Sequence, residues 1–272
     1  MSAVDTGIAS LAQELSAARA NRSGVPAAPS SREGGLDMAT AYLVEAEITR
    51  MRRAEGHATV GRKVGFANKA MWRVLKLQTL VWAHMYDDTV QETRGEASLS
   101  VARMVSPRIE PEVVFRLREA PASSDPAGVL ESVAWVALGF EFVDCPFPDW
   151  KFQPVDFVAC FGFHAALVVG APREVRRNDI PSLIEQLGAM KVRLSKGGET
   201  IEEGSGRNAL RNPAACLGEL NAAIAALPGA EPLAAGELVS TGTLTAAHPV
   251  AAGERWTVEA EGIELSPLSV SL

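Results

Sequence analysis

Residues 106–117 read SPRIEPEVVFRL. Val113, Val114, Phe115 and Leu117 mark a buried strand, and Glu110 and Glu112 stand at its mouth. On a strand, residues i and i+2 share a face. Both carboxylates therefore project side by side, about 7 Å apart at Cα, with Arg108 on the same face. Like charges this close raise each other's pKa unless a cation lies between them. The spacing leaves two readings open: a solvated strand end with Arg108 as ion-pair partner, or a bound cation. Pro111 has no N–H to give to a ladder, which predicts a sheet edge or opening here.

A third acid lies further along. GFEFVD at 139–144 is an apolar strand with Glu141 in its interior, where an unpaired carboxylate is costly. Three carboxylates without a Cys or His set suit a hard cation, Mg²⁺ or Mn²⁺. Lys63, in GRKVGFA, follows a glycine turn in an apolar extended segment. It is either a snorkelling lysine at a strand end or a general acid/base and electrostatic group beside bound anions. STGTLTAAHPV at 240–250 brings small residues and hydroxyls between two strands, a composition that allows close backbone approach to a ligand.

The chain has 272 residues, 47% hydrophobic and 22% charged, which makes it globular rather than disordered. Its formal net charge is −7, and basic residues gather only in short clusters such as Arg50, Arg52 and Arg53. That balance excludes a phosphate-backbone binder. Cys145, Cys160 and Cys216 form neither a CxxC pair nor a zinc spacing, so reduced thiols in a cytoplasmic protein are expected. MSAVDTGIASLAQELSAARANR lacks the basic and long apolar regions of a secretory signal. Apolar stretches such as 157–170 are too short to span a bilayer, so no membrane partner is expected.

Helical spacing covers 2–20, through Ile8, Leu11, Leu15 and Ala18, and 37–55, with Asp37 as N-cap and Tyr42, Leu43, Ala46 and Met51 as its apolar face. Between them, NRSGVPAAPSSREG reads as a linker or loop. A short helix begins near Asn68. Strands are predicted at 108–117, 139–144, 163–170, 189–196, 200–203, 237–243, 255–261 and 264–271, with a hairpin turn at KGGE, 196–199. Helices are predicted at 127–137, 181–187 and 213–227. Helices do not alternate strictly with strands, which predicts an α+β or mainly β architecture.

With these residues in place, the sequence resembles the fumarylacetoacetate hydrolase superfamily, in its 2-keto-4-pentenoate hydratase / 4-oxalocrotonate decarboxylase branch. The matching pieces are GRKVGFANKAM (61–71), PRIEPEVVF (107–115), GFEFVD…DW (139–150), SGRNALRNPAACLGEL (205–220) and GELVSTGTLTAAHPVAAGERWTVEAEGI (236–263). The resemblance implies an α+β fold: a mixed β-roll core with an N-terminal helical part, divided as a helical region 1–60 and a catalytic domain 61–272. It implies a divalent metal, Mg²⁺ or Mn²⁺, held by Glu110, Glu112 and Glu141, with Lys63 in the active site. It implies a small 2-oxo or 2-hydroxy-dienoic acid as substrate, and a homo-oligomer. A hydratase is the leading expectation. A decarboxylase, tautomerase or C–C hydrolase shares the same enolate chemistry, and an inert partner subunit is a further alternative.

The chain also departs from the pattern. LVWAHMY, with Trp82 and His84, replaces the acid-bearing "LFADM"-like segment. FVACFGFH, with Cys160, Phe161, Phe163 and His164, replaces a polar "VADNAS"-like segment, and LRNP replaces "LGHP". His84 is a candidate to supply the proton transfer of the missing acid. Arg62, Trp82, Phe161 and Thr243 are candidate substrate contacts. Aromatic replacement predicts a bulkier or less polar substrate tail. His164 reads as a satisfied core residue and His57 as surface.

Overall fold

The computed structural model describes residues 3–272 of the chain. Helices α1 (Ala3–Asn21) and α2 (Met38–Ala54) come first. Asp37 caps α2, its side chain accepting the Thr40 N–H at 2.7 Å. Next come β1 (Thr59–Gly65), α3 (Lys69–Leu75), β2 (Val81–Tyr86), β3 (Val90–Glu92) and β4 (Glu96–Ser98). The central section runs β5 (Pro107–Leu117), α4 (Pro126–Glu131), β6 (Val133–Asp144), α5 (Pro154–Ala159), β7 (His164–Val169) and β8 (Arg173–Glu174). The chain closes with α6 (Ile180–Ala189), β9 (Lys191–Lys196), β10 (Glu199–Ser205), α7 (Pro213–Ala226), β11 (Leu238–Thr243), β12 (His248–Pro249), β13 (Arg255–Glu261) and β14 (Leu268–Ser271).

Two mixed sheets form the body. The larger runs β2-β1-β11-β5-β6-β7-β3, with β12 beside β5 and β8 beside β6. The smaller runs β10-β9-β13-β14-β4. The pairs β1–β11, β3–β7 and β4–β14 are parallel and the rest antiparallel. Helix and sheet are thus segregated, the α+β arrangement that the strand-rich sequence implied.

Several local readings need correction. Residues 127–137 do not form one helix: α4 ends at Glu131 and β6 begins at Val133. The run that follows, rich in Val and Trp, pairs along the whole of β5 from Leu117 to Pro107. Strand β2 has all six residues buried, so no polar alternation announced it. On α2 the buried face is Ala41, Val44, Glu45, Ile48 and Thr49, while Leu43 is 52% exposed. The hydropathy pattern misplaced this face because two of its buried residues are polar. At the predicted hairpin turn, Gly197 and Gly198 take φ of 58° and 90° between β9 and β10.

β5 is not an edge strand. It lies between β6 and β11, and Pro111 is tolerated at a break in the ladder. β11 pairs with β5 as far as Glu112, and β12 takes over at Ile109 and Arg108. Across the gap, the Leu244 N–H donates to the Pro111 carbonyl at 2.8 Å. One face of the larger sheet, with Ile109, Val113, Phe115, Leu138 and Phe140, packs into a core shared with α4, α6, α7 and the smaller sheet. The opposite face carries Val114, Ala137, Leu167 and the three carboxylates.

Candidate metal centre

β5 and β6 are antiparallel, with Glu110 directly opposite Glu141 and Glu112 opposite Gly139. This register puts all three carboxylates on one face of one hairpin. One oxygen from each lies within 4.8 Å of the others. Glu112 and Glu141 are fully buried, and Glu110 is half-buried at the mouth.

Each buried carboxylate is half satisfied. Glu112 Oε2 accepts the Ser240 hydroxyl at 2.5 Å and the Gly242 N–H at 2.8 Å. Its Oε1 is buried without a hydrogen-bond partner. Glu141 Oε1 lies 3.0 Å from His164 Nδ1, while Oε2 has no hydrogen bond and lies 3.3 Å from Lys63 Nζ. A buried carboxylate oxygen without a hydrogen bond is costly. Two such oxygens beside Glu110 fit a divalent cation, because oxygen donors and excess negative charge are what a hard cation requires. Residues Ser240 and His164 hold the other oxygens and so fix the orientation of the pair.

Gly242 supplies its N–H from a left-handed turn, φ 91°, where a Cβ would meet Ala67 at 2.7 Å. Lys63 on β1 pairs with Ser240 of β11 and Ala83 of β2, which aims its side chain at the same face. Its Nζ donates to the Gly162 carbonyl at 2.9 Å and lies 4.5 Å over the Phe157 ring. Gly162 has no room for a side chain, since a Cβ would meet both Ala83 and the Lys63 stem at 2.8 Å. Phe157 belongs to an aromatic wall with Phe66, Phe152 and Phe163, ring centroids 4.6–5.3 Å apart in the closest pairs.

The remaining candidates divide. Thr243 is the strand partner of Glu112 and stays beside the centre, its hydroxyl bonded to the Thr245 carbonyl. Arg62, Trp82 and His84 lie on the other face of β1 and β2, where Arg62 opposes His84 and Val64 opposes Trp82. Arg62 is bound to Glu237 at 2.6 Å and stacks over Trp82. His84 Nδ1 is 2.7 Å from Glu45 of α2, in a buried group with Thr49 and Tyr86. His84 is thereby separated by the sheet from Lys63 and cannot replace the acid missing from its segment. Phe161 turns its ring under the Arg19 guanidinium, away from the carboxylates. Arg108 stacks on Trp150 at 4.0 Å instead of pairing with the acids. The second His and Asp cluster, His57 with Asp87 and Asp88, is at the surface, with Asp88 engaged by Arg52 at 2.6 Å.

His164 is the residue that sequence reasoning undervalued. The β6–β7 register shifts between Phe142 and Val143, and His164 there turns toward Glu141. Its Nε2 is 2.9 Å from the Thr89 hydroxyl. Burial pushes its pKa down, so the ring is neutral at pH 7. The carboxylate of Glu141 can only accept, so the neutral ring donates its Nδ1–H to it, while the Thr89 hydroxyl donates to the Tyr86 carbonyl at 2.8 Å.

Burial, then the charge of Glu141, pushes Glu110 up to about 7, against the pull of Lys63. Burial and the charges of Glu141 and Glu110 raise Glu112 well above the usual range. A carboxyl whose pKa is higher folded than unfolded favours folding below the unfolded value. That contribution is lost as pH rises through the folded value. The metal-free protein therefore loses stability between about pH 4.5 and about 7. A bound cation removes this loss. The rise in Tm on adding Mg²⁺ should be larger at pH 8 than at pH 5.5, and an equal rise at both would contradict the arrangement. The Glu45–His84 pair gives a different expectation. Burial disfavours the Glu45 charge, but the charge and hydrogen bonds of His84 hold its pKa low. His84→Ala should cost about 3–5 kcal/mol of stability by leaving a buried charge unpaired. It should leave kcat unchanged at temperatures where the protein is folded. A large kcat loss with intact stability would return His84 to the chemistry.

Comparison with known proteins follows the same lines. The family model for the C-terminal part of fumarylacetoacetate (FAA) hydrolase matches residues 79–268. A 2-keto-4-pentenoate hydratase of Dechloromonas aromatica is 31% identical over 90% of this chain and 90% of its own. A 2-hydroxyhexa-2,4-dienoate hydratase of Comamonas testosteroni is 29% identical over 82% of each. Among solved structures, 4-oxalocrotonate decarboxylase from Pseudomonas putida G7, complexed with magnesium and adipate, superposes with a TM-score of 0.86. It is 25% identical and covers 98% of this chain and 97% of its own.

Proposed function

Because the chain belongs to the fumarylacetoacetate hydrolase family, we propose that it is a divalent-metal-dependent hydratase that adds water to a 2-hydroxy-2,4-dienoate. Hydratase relatives at about 30% identity over most of the chain support the activity. The observation that carries the site is the pair of half-satisfied buried carboxylates beside Lys63. Glu110, Glu112 and Glu141 hold the cation, with Mg²⁺ as first choice and Mn²⁺ as substitute. Once bound, the cation supplies Lewis-acid stabilisation of negative charge on the substrate's carboxylate and 2-oxygen.

The chain's own residues do the rest. Lys63 holds a proton at Nζ within reach of a substrate seated against Glu141, and it delivers or accepts that proton as the dienol ketonises. Its hydrogen bond to Gly162 and its seat over Phe157 fix the ammonium in one place. Water then adds across the conjugated double bond, hydroxyl to C4 and proton to the neighbouring carbon. The aromatic wall around Phe157 and Phe163 excludes other water and favours an apolar distal group. Thr243 is the remaining substrate contact at this face.

The test is to follow the ultraviolet absorbance of freshly generated 2-hydroxypenta-2,4-dienoate with Mg²⁺, with and without chelator. Metal-dependent loss of the dienol band with a 4-hydroxy-2-oxo acid as product is expected. Its absence, with carbon dioxide released from 4-oxalocrotonate instead, would establish decarboxylation, the reading that the solved decarboxylase neighbour favours.

We assign the residues through α2 as a helical region and the chain from β1 onward, which begins two residues before the expected boundary at 61, as the catalytic domain of one subunit of a homo-oligomer. No helix among the described residues is long and apolar enough to cross a membrane. The three cysteines are buried and free, which supports a cytoplasmic location.

A further inference from the structure

A second cavity, of about 460 Å³, opens between α1, the end of α2, the 103–105 segment and the start of β7. The three carboxylates and Lys63 are not among its walls. Arg19, Arg22, Arg52 and Arg103 are. The acids that share the cavity are already engaged. Asp144 accepts the Val105 and Ser106 N–H groups at 2.9 and 2.6 Å. Asp88 and Glu55 face Arg52 at 2.6 and 3.8 Å. Among the described residues, Arg19, Arg22 and Arg103 have no carboxylate partner, and Arg52 Nε is buried without any partner. Burial, then the nearby charge of Arg52, pulls the Arg19 pKa down. Four guanidinium groups on the walls of one cavity, three of them without a carboxylate partner among the described residues, define a place for an anion.

The walls also specify the body of that anion. Phe161 lies flat under Arg19 at 4.5 Å, and Phe163, Met51 and Met104 continue the apolar surface. Guanidinium forks match carboxylates in plane and spacing. A cavity of this size takes a single ring or short alkyl chain.

We propose that this cavity is a second ligand site, apart from the metal centre, for a small carboxylic acid with an aromatic or alkyl body. The site adjoins the metal centre through one residue. Arg19 donates to the His164 carbonyl, and the His164 ring holds Glu141. A ligand that draws on Arg19 is thus coupled to the orientation of a carboxylate at the centre, and by linkage each ligand changes the other's affinity.

Calorimetric titration of benzoate into the full chain, stripped of metal by chelator, tests the site without reference to catalysis. One benzoate per chain is expected. The variant R22A/R103A, altered only at exposed rim positions, should bind about tenfold more weakly, as loss of charge-assisted hydrogen bonds predicts. Arg19→Met should abolish binding while circular dichroism stays unchanged. Inorganic phosphate should compete poorly, because it lacks the apolar body. A parallel titration with 2-oxopentanoate separates two sources of such acids. Tighter binding than benzoate marks a reaction-related acid as the ligand, and weaker binding marks an aromatic acid. No saturable benzoate binding, binding unaffected by either variant, or phosphate binding as tightly as benzoate would overturn the proposal. Because no turnover is measured, failure of the hydratase reading would leave this result standing.

Discussion

Glu110→Gln should abolish metal-dependent turnover and at the same time raise the Tm of the metal-free protein. The two effects have one cause. Glu110 faces Glu141 across the β5–β6 ladder, near Glu112, and like charges directly opposed are destabilising. Burial and the charge of Glu141 already push its pKa up to about 7, so a neutral amide relieves a real repulsion. The same amide is a poor ligand for a hard cation. Loss of several kcal/mol of charge stabilisation corresponds to a turnover loss of about 10³-fold or more. Metal titration, melting with chelator and steady-state kinetics on one preparation would check both signs. Full activity would remove Glu110 from the centre. A lower metal-free Tm would mean that the carboxylates are neutralised by something other than a cation.

Lys63→Met should also lower turnover, but with the opposite effect on the metal-free Tm. Removing the ammonium takes away a cation 3.3 Å from Glu141 Oε2, and the metal-free protein should become less stable above pH 7. Metal binding should survive, because all three carboxylates remain. Turnover should fall by about 10²–10⁴-fold, the usual share of a positioned proton-transfer group. Lys63→Arg should not rescue it, since the ammonium is held between the Gly162 carbonyl and the Phe157 ring, a seat fitted to a compact charge rather than a planar guanidinium. Retained turnover with retained metal would restrict Lys63 to charge balance.

The carboxylate set was legible because strand alternation and burial are sequence-local. Glu110 and Glu112 must share a face, and Glu141 stands alone in an apolar run. The same alternation already forbids Arg62 and Lys63 from facing one site, and the structure puts them on opposite faces of β1. What holds the centre was less legible. His164 reaches Glu141 only through a register shift between β6 and β7, and no local pattern records that shift. Ser240 and Gly242 meet Glu112 from 128 and 130 residues away. Glu45 and Thr49 invert the hydropathy of α2, because they serve His84 and Tyr86 rather than a greasy core.

The β5–β6 hairpin also bears on how the chain folds. It is the longest continuous pairing in the larger sheet, and it is closed by the short segment through α4, well before β11 or β1 can add to it. Closing so short a loop is entropically easier than docking β11, over a hundred residues away. A hairpin that forms first would bring Glu110 onto Glu141 before Lys63 and Ser240 are placed against them. A divalent cation in the medium would lower that barrier at its source. It would act as a nucleating agent as well as a cofactor, assembling the strands that later present it to substrate.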